Sequence, residues 1–70
     1  MKIDCTVNCG YQNTDFINAA YKFALENNCV IESDDKKTVI SGFMPKSEVA
    51  RLMLILDTFK LYAKVKMTVH

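Results

Sequence analysis

Apolar and polar side chains alternate at both ends of the chain, in the pattern of half-buried strands. Over residues 2–8, Ile3, Cys5 and Val7 occupy every second position, with polar side chains between them. Residues 63–70 repeat the alternation of small or apolar with polar side chains. A period of two directs one set of side chains to each face of a sheet, so the pattern predicts a first and a last strand.

The middle of the chain adds two longer segments whose apolar positions recur with helical spacing. The first begins at Asn13 or Thr14, either of which can cap a helix, and runs to about Asn28. The second, residues 47–62, is the longest periodic stretch and follows Pro45, a residue suited to a helix start. One arc of this second helix is apolar and is predicted to cover a sheet. The arc comprises Val49, Leu52, Met53, Ile55, Leu56 and Phe59.

Two β-branched runs, residues 29–33 and 38–43, lie between the helices, and the polar residues 34–37 have the length of a hairpin loop. The order is therefore strand, helix, strand, strand, helix, strand. It predicts one α+β domain over residues 1–70 with the ferredoxin-like βαββαβ fold, an antiparallel four-stranded sheet with both helices packed on one face. Right-handed crossovers put the first and third strands at its centre. The phase of the two middle strands stays open.

The second helix carries more apolar residues than one buried face requires. Ala50, Leu54 and Leu61 lie opposite the arc, where a surface helix normally presents polar side chains. Single leucines are common on surfaces, and shielding by neighbours is one explanation. The other is an exposed apolar surface that contacts another protein or a second copy of the chain. We predict this interface, with Ala50, Leu54, Thr58 and Leu61 from the second helix and Tyr21 and Leu25 from the first.

The length of the chain favours a second subunit. A chain of 70 residues buries only about 60% of the surface that it exposes when unfolded, so its stability depends on a disulfide, a metal or another subunit. With 50% hydrophobic and 24% charged residues, its composition is globular. The formal net charge of +1 provides no long-range attraction to nucleic acid or to an acidic membrane.

The cysteines, Cys5, Cys9 and Cys29, do not form an even set for a disulfide framework. Their odd number and an N-terminus without an apolar signal region predict reduced thiols and a cytoplasmic protein. The longest continuous apolar run is residues 52–56, against the roughly 20 residues of a membrane span, so no membrane association is expected.

The loop from Cys5 to Asn13 is the candidate for ligand chemistry. Cys5 and Cys9 are separated by three residues and precede Gly10. The layout resembles that of soft-metal carriers, which share the βαββαβ order and bind metal in this loop, although their pattern is Met-x-Cys-x-x-Cys. It also resembles that of amino-acid-sensing regulatory domains, which implies a small-ligand site near this loop. Because the strand phase directs Cys5 into the core, we predict no metal and no cofactor, with Cys5 and Cys9 as the candidate ligands if one binds.

The sequence contains no evident catalytic set. The single histidine, His70, is terminal, and the carboxylates form no pair within an apolar stretch. RNA-recognition domains share the topology but stack bases on aromatics of the two central strands, where this chain offers only Phe43. The lysines Lys2, Lys64 and Lys66 fit a solvated sheet edge. We therefore predict neither an enzyme nor a nucleic-acid-binding protein.

A chain with no catalytic set and a surplus of apolar helix surface fits a protein that acts by contact. We predict a non-enzymatic interaction module, a homodimer, that binds or inhibits another protein stoichiometrically, of the kind that viruses and mobile elements encode. The alternative is a small-ligand or soft-metal binding module that uses the loop from Cys5 to Asn13.

Overall fold

The computed structural model describes residues 1–70 and contains four strands and two α-helices. In chain order the elements are β1 (Lys2–Val7), α1 (Thr14–Glu26), β2 (Val30–Ser33), β3 (Thr38–Phe43), α2 (Lys46–Thr58), a 3₁₀ turn (Tyr62–Lys64) and β4 (Val65–Val69). The strands form one antiparallel sheet in the order β2-β3-β1-β4. This confirms the ferredoxin-like α+β fold with β1 and β3 at the centre. Neither helix combines the length and the apolar character that crossing a bilayer requires.

The core lies between the sheet and the two helices. β1 contributes Ile3, Cys5 and Val7, all fully enclosed, as its alternation predicts. Phe16 of α1 meets Phe59 edge to face, with 5.9 Å between ring centroids, and so links the two helices. The other buried apolar side chains are Ala20, Phe23, Ala24, Ile40, Met44, Leu52, Leu56 and Leu61.

The strand register settles the phase that the sequence left open. Ile31 of β2 pairs with Ile40 of β3, and Ile40 pairs with Cys5, so these three side chains share the face that the helices cover. Val30 and Phe43 therefore lie on the open face, where Phe43 is 73% exposed next to Lys2. The open face is polar along β1, as predicted, but β2 and β3 add apolar side chains to it.

Both helices end in a Schellman turn, and the second ends earlier than predicted. In α2 the Lys60 N–H donates to the Asp57 carbonyl and the Leu61 N–H donates to the Leu56 carbonyl at 2.8 Å, with Lys60 in the left-handed conformation at φ 58°. The predicted helix over residues 47–62 therefore stops at Thr58. In α1 the equivalent left-handed residue is Asn28, at φ 54°.

This turn corrects one residue of the predicted interface. Leu61 follows the left-handed residue, so it leaves the helical phase and folds back beside Leu56. In a Schellman turn a hydrophobic contact between these two positions is common. Leu61 is only 6% exposed and belongs to the core, so its assignment to an exposed surface was wrong.

Candidate functional site

An apolar cleft opens between α2 and β4. Its volume is about 160 Å³, and all of its lining side chains are hydrophobic. Leu56 is buried at the cleft, whereas Tyr62, in the 3₁₀ turn before β4, is 56% exposed. The residues of this α2–β4 cleft are Met53, Leu56, Tyr62, Val65 and Met67.

The backbone of β4 is unpaired along its outer edge. The Asn8 N–H donates to the Lys64 carbonyl at 2.9 Å, and the His70 N–H donates to the Lys2 carbonyl at 2.8 Å. In an antiparallel ladder every second residue directs its backbone N–H and C=O groups toward the same neighbouring strand, so those of the even-numbered residues of β4 point toward β1. The N–H and C=O groups of the alternate set point away from the sheet. This set consists of Val65, Met67 and Val69.

The side chains of Val65 and Met67 line the α2–β4 cleft, and Val69 lies on the same face of the strand. Val69 pairs with Ile3 and Met67 pairs with Cys5, so the odd-numbered side chains of β4 lie on the helix-covered face. Val69 is nevertheless 57% exposed. Unpaired backbone groups and uncovered apolar side chains therefore coincide on β4.

The opposite edge, β2, is closed at both ends by the chain itself. At its start the Cys29 N–H donates to the Ala24 carbonyl at 2.8 Å. At its end the Asp34 carbonyl accepts from the Tyr11 N–H at 3.0 Å. Next to it the Asp35 carbonyl accepts from the Gln12 side chain at 2.9 Å. Only Ile31 and Ser33 lie between these closures with outward-facing backbone groups.

The predicted helical interface is exposed except at Leu61. Leu25 is 81% exposed, Leu54 is 64% exposed and Tyr21 is 47% exposed. Ala50 and Thr58 are exposed too, although the Thr58 hydroxyl donates to the Leu54 carbonyl at 2.8 Å and is not free to bind elsewhere. We call Tyr21, Leu25, Ala50, Leu54 and Thr58 the outer helical surface.

Two contacts align the helices that carry this surface. Phe16 meets Phe59 near one end, and the Asn27 side chain donates to Glu48 at 3.1 Å near the other. In this antiparallel alignment Tyr21 lies level with Leu54, and Leu25 lies level with Ala50. The structure thus brings the exposed predicted residues to corresponding heights on the two helices.

Charged side chains tie the two helices together beside this surface. Arg51 of α2 donates to Glu26 at 2.7 Å and to Glu48 at 2.9 Å, and its guanidinium lies 5.4 Å from the centre of the Phe23 ring. The hydrogen bond with Glu26 is the largest cause that raises the pKa of Arg51. Solvent screens such exposed pairs strongly, so they fix geometry more than they add stability.

The three cysteines are separated in the fold. Cys5 lies inside β1 with a fully enclosed side chain, and burial raises the pKa of its thiol to about 11. Cys9 is half-buried after β1, whereas the Cys29 thiol lies against the Asn27 carbonyl at 3.7 Å beyond the end of α1. No group of three or more histidine, cysteine, aspartate or glutamate side chains is arranged to hold a metal ion.

The candidate ligand loop packs tightly on the β2–β3 hairpin. A Cβ on Gly10 would lie 2.5 Å from the carbonyl carbon and oxygen of Asp35, so only glycine allows this approach. A metal held by Cys5 and Cys9 would have to enter the core, because the Cys5 thiol points away from the loop surface.

His70 lies at the opposite end of β1 from Cys9. Its Nε2 is 2.8 Å from an Asp4 carboxylate oxygen on the open face, and both side chains are partly exposed. The structure therefore does not bring the single histidine to a thiol.

Sequence reasoning missed the β4 edge as a site. It predicted the strand and its alternation, and the signal that could have marked the site is the apolar character of Val65, Met67 and Val69 on a strand at the sheet edge. The chain matches no protein-family model, and neither a curated protein nor a solved structure matches it.

Proposed function

We propose that this chain is a small non-enzymatic protein-interaction module that works as a homodimer and binds or inhibits another protein stoichiometrically. The observation that carries the proposal is the β4 side of the molecule, where an unpaired strand edge borders a cleft lined only by apolar side chains. Both features are stabilised when another chain covers them. A domain of this size also gains a larger share of its stability from a second subunit than a larger domain would.

The rest of the molecule supports the proposal that association occurs on the β4 side. Every buried side-chain nitrogen and oxygen has a hydrogen-bond partner within the chain. The β2 edge is closed at both ends, as described above. Along β4, by contrast, unpaired backbone groups lie next to a cleft lined by apolar side chains.

The outer helical surface is the contact that we propose for the target protein. Its leucines, Leu25 and Leu54, are the most exposed aliphatic side chains of the helices. Two subunits that continue one sheet through β4 carry their helices on the same face, so the dimer presents two copies of this surface side by side. Such a bivalent surface binds more tightly than one copy alone, through effective concentration.

The absence of catalysis is part of the proposal, and the chemistry of the reactive side chains supports it. The Cys5 thiol stays protonated at neutral pH because burial raises its pKa to about 11. His70 is paired with Asp4 on a solvated face. Neither has the neighbouring base or nucleophile that acyl or group transfer requires.

Sedimentation equilibrium with light scattering tests the homodimer. We expect a monomer–dimer equilibrium at micromolar concentrations, with the mass rising toward twice the 8.0 kDa of one chain. A mass that remains that of one chain at millimolar concentration would contradict the proposal.

Matched baits test the target contact. The wild-type chain and Leu54→Lys are immobilised and exposed to extract from the native cell, with Val30→Lys as the control, since Val30 is an exposed apolar residue on the open face of the sheet. We expect one protein, retained in a fixed molar ratio, that Leu54→Lys releases and Val30→Lys retains. Equal retention by all three baits would argue against the outer helical surface.

A further inference from the structure

The outward-facing groups of β4 specify what kind of strand fits there. Val65, Met67 and Val69 each present one N–H and one C=O away from β1, as the bonds that flank the strand at Asn8 and His70 require. An incoming antiparallel strand must present its own outward groups at the same spacing. It must also be apolar on the face that continues the α2–β4 cleft.

We infer that this strand is β4 of a second copy, paired antiparallel about a two-fold axis at Met67. The inference rests on the proposed homodimer and specifies its interface. A two-fold axis at any residue of β4 sets outward groups opposite outward groups, but only an axis at Met67, the middle residue of the strand, gives all three outward-facing residues a partner within β4 of the second copy. An axis at Met67 pairs Met67 with its counterpart and Val65 with Val69 of the second copy. All outward groups of both strands are then bonded, with two bonds in each of three residue pairs.

The same register makes the helix-covered face of the joint apolar. Val65 lies beside Val69 of the second copy, and the two Met67 side chains meet at the axis, with Cα atoms about 5.5 Å apart. The α2–β4 clefts of the two subunits become continuous across the joint. The pairing thus covers the exposed side chain of Val69 and the open side of the cleft.

The charges on the open face favour an axis at Met67 over an axis at Lys66, because the two Lys66 residues are then diagonal to each other rather than directly opposite. In this register Lys66 lies opposite Thr68 of the second copy, and the other neighbour of that Thr68 is Asp4 of its own chain. Lys66 and that Asp4 are two strand spacings apart, roughly 10 Å, with opposite charges. An axis at Lys66 would instead set two lysines directly opposite each other and place Val69 opposite Ala63, which lies outside the strand.

The β2 edge offers no equivalent joint. A second copy centred on Ile31 would need the Cys29 N–H, which already donates to Ala24 at 2.8 Å. A centre on Ser33 would need the groups of Asp35, whose carbonyl is bonded to the Gln12 side chain. The two edges therefore differ in the number of free backbone groups as well as in side chains.

Opposite charges at Thr68 test the register. Within one chain Thr68 pairs with Asp4, so Thr68→Lys stabilises the monomer and Thr68→Glu destabilises it. Across the proposed joint the order of stability of the two variants reverses, because residue 68 of each copy lies opposite Lys66 of the other copy. Each dimer contains two such pairs. We expect the dimer Kd of Thr68→Glu to be about tenfold lower than that of Thr68→Lys, measured by sedimentation equilibrium.

A matched pair on the other edge controls for net charge. Val30 is exposed on the open face of β2, and we expect Val30→Glu and Val30→Lys to have the same dimer Kd as each other within a factor of two. A Kd for Thr68→Lys equal to or lower than that of Thr68→Glu would overturn the Met67 register.

Amide hydrogen exchange followed by NMR separates this inference from the proposed function. As the concentration rises through the Kd, we expect at least tenfold slower exchange at Val65, Met67 and Val69, and unchanged exchange at Ile31 and Ser33. A dimer whose β4 amides exchange at an unchanged rate overturns the β4 joint and leaves the homodimer standing. A chain that remains monomeric overturns both.

Discussion

β2 and β4 are the two edge strands of this sheet, and they differ in whether the chain itself occupies their outward-facing backbone groups. At β2, the loop after β1 and the last turn of α1 occupy the backbone groups on either side of Ile31 and Ser33. At β4, nothing in the chain bonds the outward groups of Val65, Met67 and Val69. An edge strand with unpaired N–H and C=O groups can pair with a strand of another chain, and proteins normally protect such an edge. In this fold the β2 edge is protected and the β4 edge is not.

The helices show the same asymmetry. α1 encloses Phe16 and Phe23 completely, whereas α2 encloses Leu52 and Leu56 and leaves Met53 at an open cleft. Exposed leucines alone would have pointed to the outer helical surface, where Leu25 is the most exposed large hydrophobic side chain of the molecule. Backbone groups without partners point to β4 instead. Exposed apolar side chains and unpaired backbone groups coincide on β4, and a second strand would cover both at once.

Truncation of one apolar side chain in each helix should give the largest difference in the free energy of unfolding. Phe23→Ala leaves a cavity under α1 and should lower the free energy of unfolding by about 3–5 kcal/mol. Met53→Ala only enlarges a cleft that is already open and should cost about 1 kcal/mol or less at monomer concentrations. Urea denaturation of both variants measures the difference. Equal losses would mean that the cleft is closed in solution.

A methyl group at Gly10 should loosen the closed edge. In Gly10→Ala the new Cβ meets backbone atoms of Asp35 at 2.5 Å, and backbone cannot move aside as a flexible side chain can. We expect a loss of about 2 kcal/mol in the free energy of unfolding, by urea denaturation. Asn18→Ala, on the exposed side of α1, is the control and should change stability little. A Gly10→Ala variant as stable as the wild type would contradict the tight packing of the loop.

Acid should weaken the hairpin at the closed edge by a small amount. The Asp34 carboxylate accepts the Lys36 and Lys37 backbone N–H groups, both at 2.8 Å, and these bonds lower the pKa of Asp34. A carboxyl whose pKa is lowered by folding stabilises the folded state above its unfolded pKa, and this stability is lost as the pH falls through the folded pKa. We expect the urea midpoints of wild type and Asp34→Asn to differ at pH 7 and to converge as the pH falls through the lowered pKa of Asp34.

Asp35 provides the matched control for this titration. Its side chain makes no hydrogen bond to the loop backbone, so Asp35→Asn should keep the wild-type dependence on pH. An identical response in both variants would show that the loop charge as a whole, rather than the two bonds to Asp34, determines the pH dependence.

The sequence alone determined the element order, the fold class and most of the core. Alternation in residues 2–8 fixed which face of β1 is buried, and the arc of α2 included Leu52 and Leu56, because burial of one side of each element depends on local periodicity. It also identified Leu25 and Leu54 as exposed apolar residues, since Leu54 lies opposite the buried arc of α2 and Leu25 belongs to an apolar arc of α1 that covers more than half of the helix.

Only the tertiary structure decided the end of α2, the burial of Leu61 and the contrast between the sheet edges. Lys60 has no intrinsic preference for the left-handed conformation, and the contact of Leu61 with the core selects it. The state of an edge depends on hydrogen bonds between residues far apart in the chain, such as Tyr11 with Asp34. Periodicity cannot report such bonds, because it describes which side of an element is apolar and not which backbone groups another segment reaches.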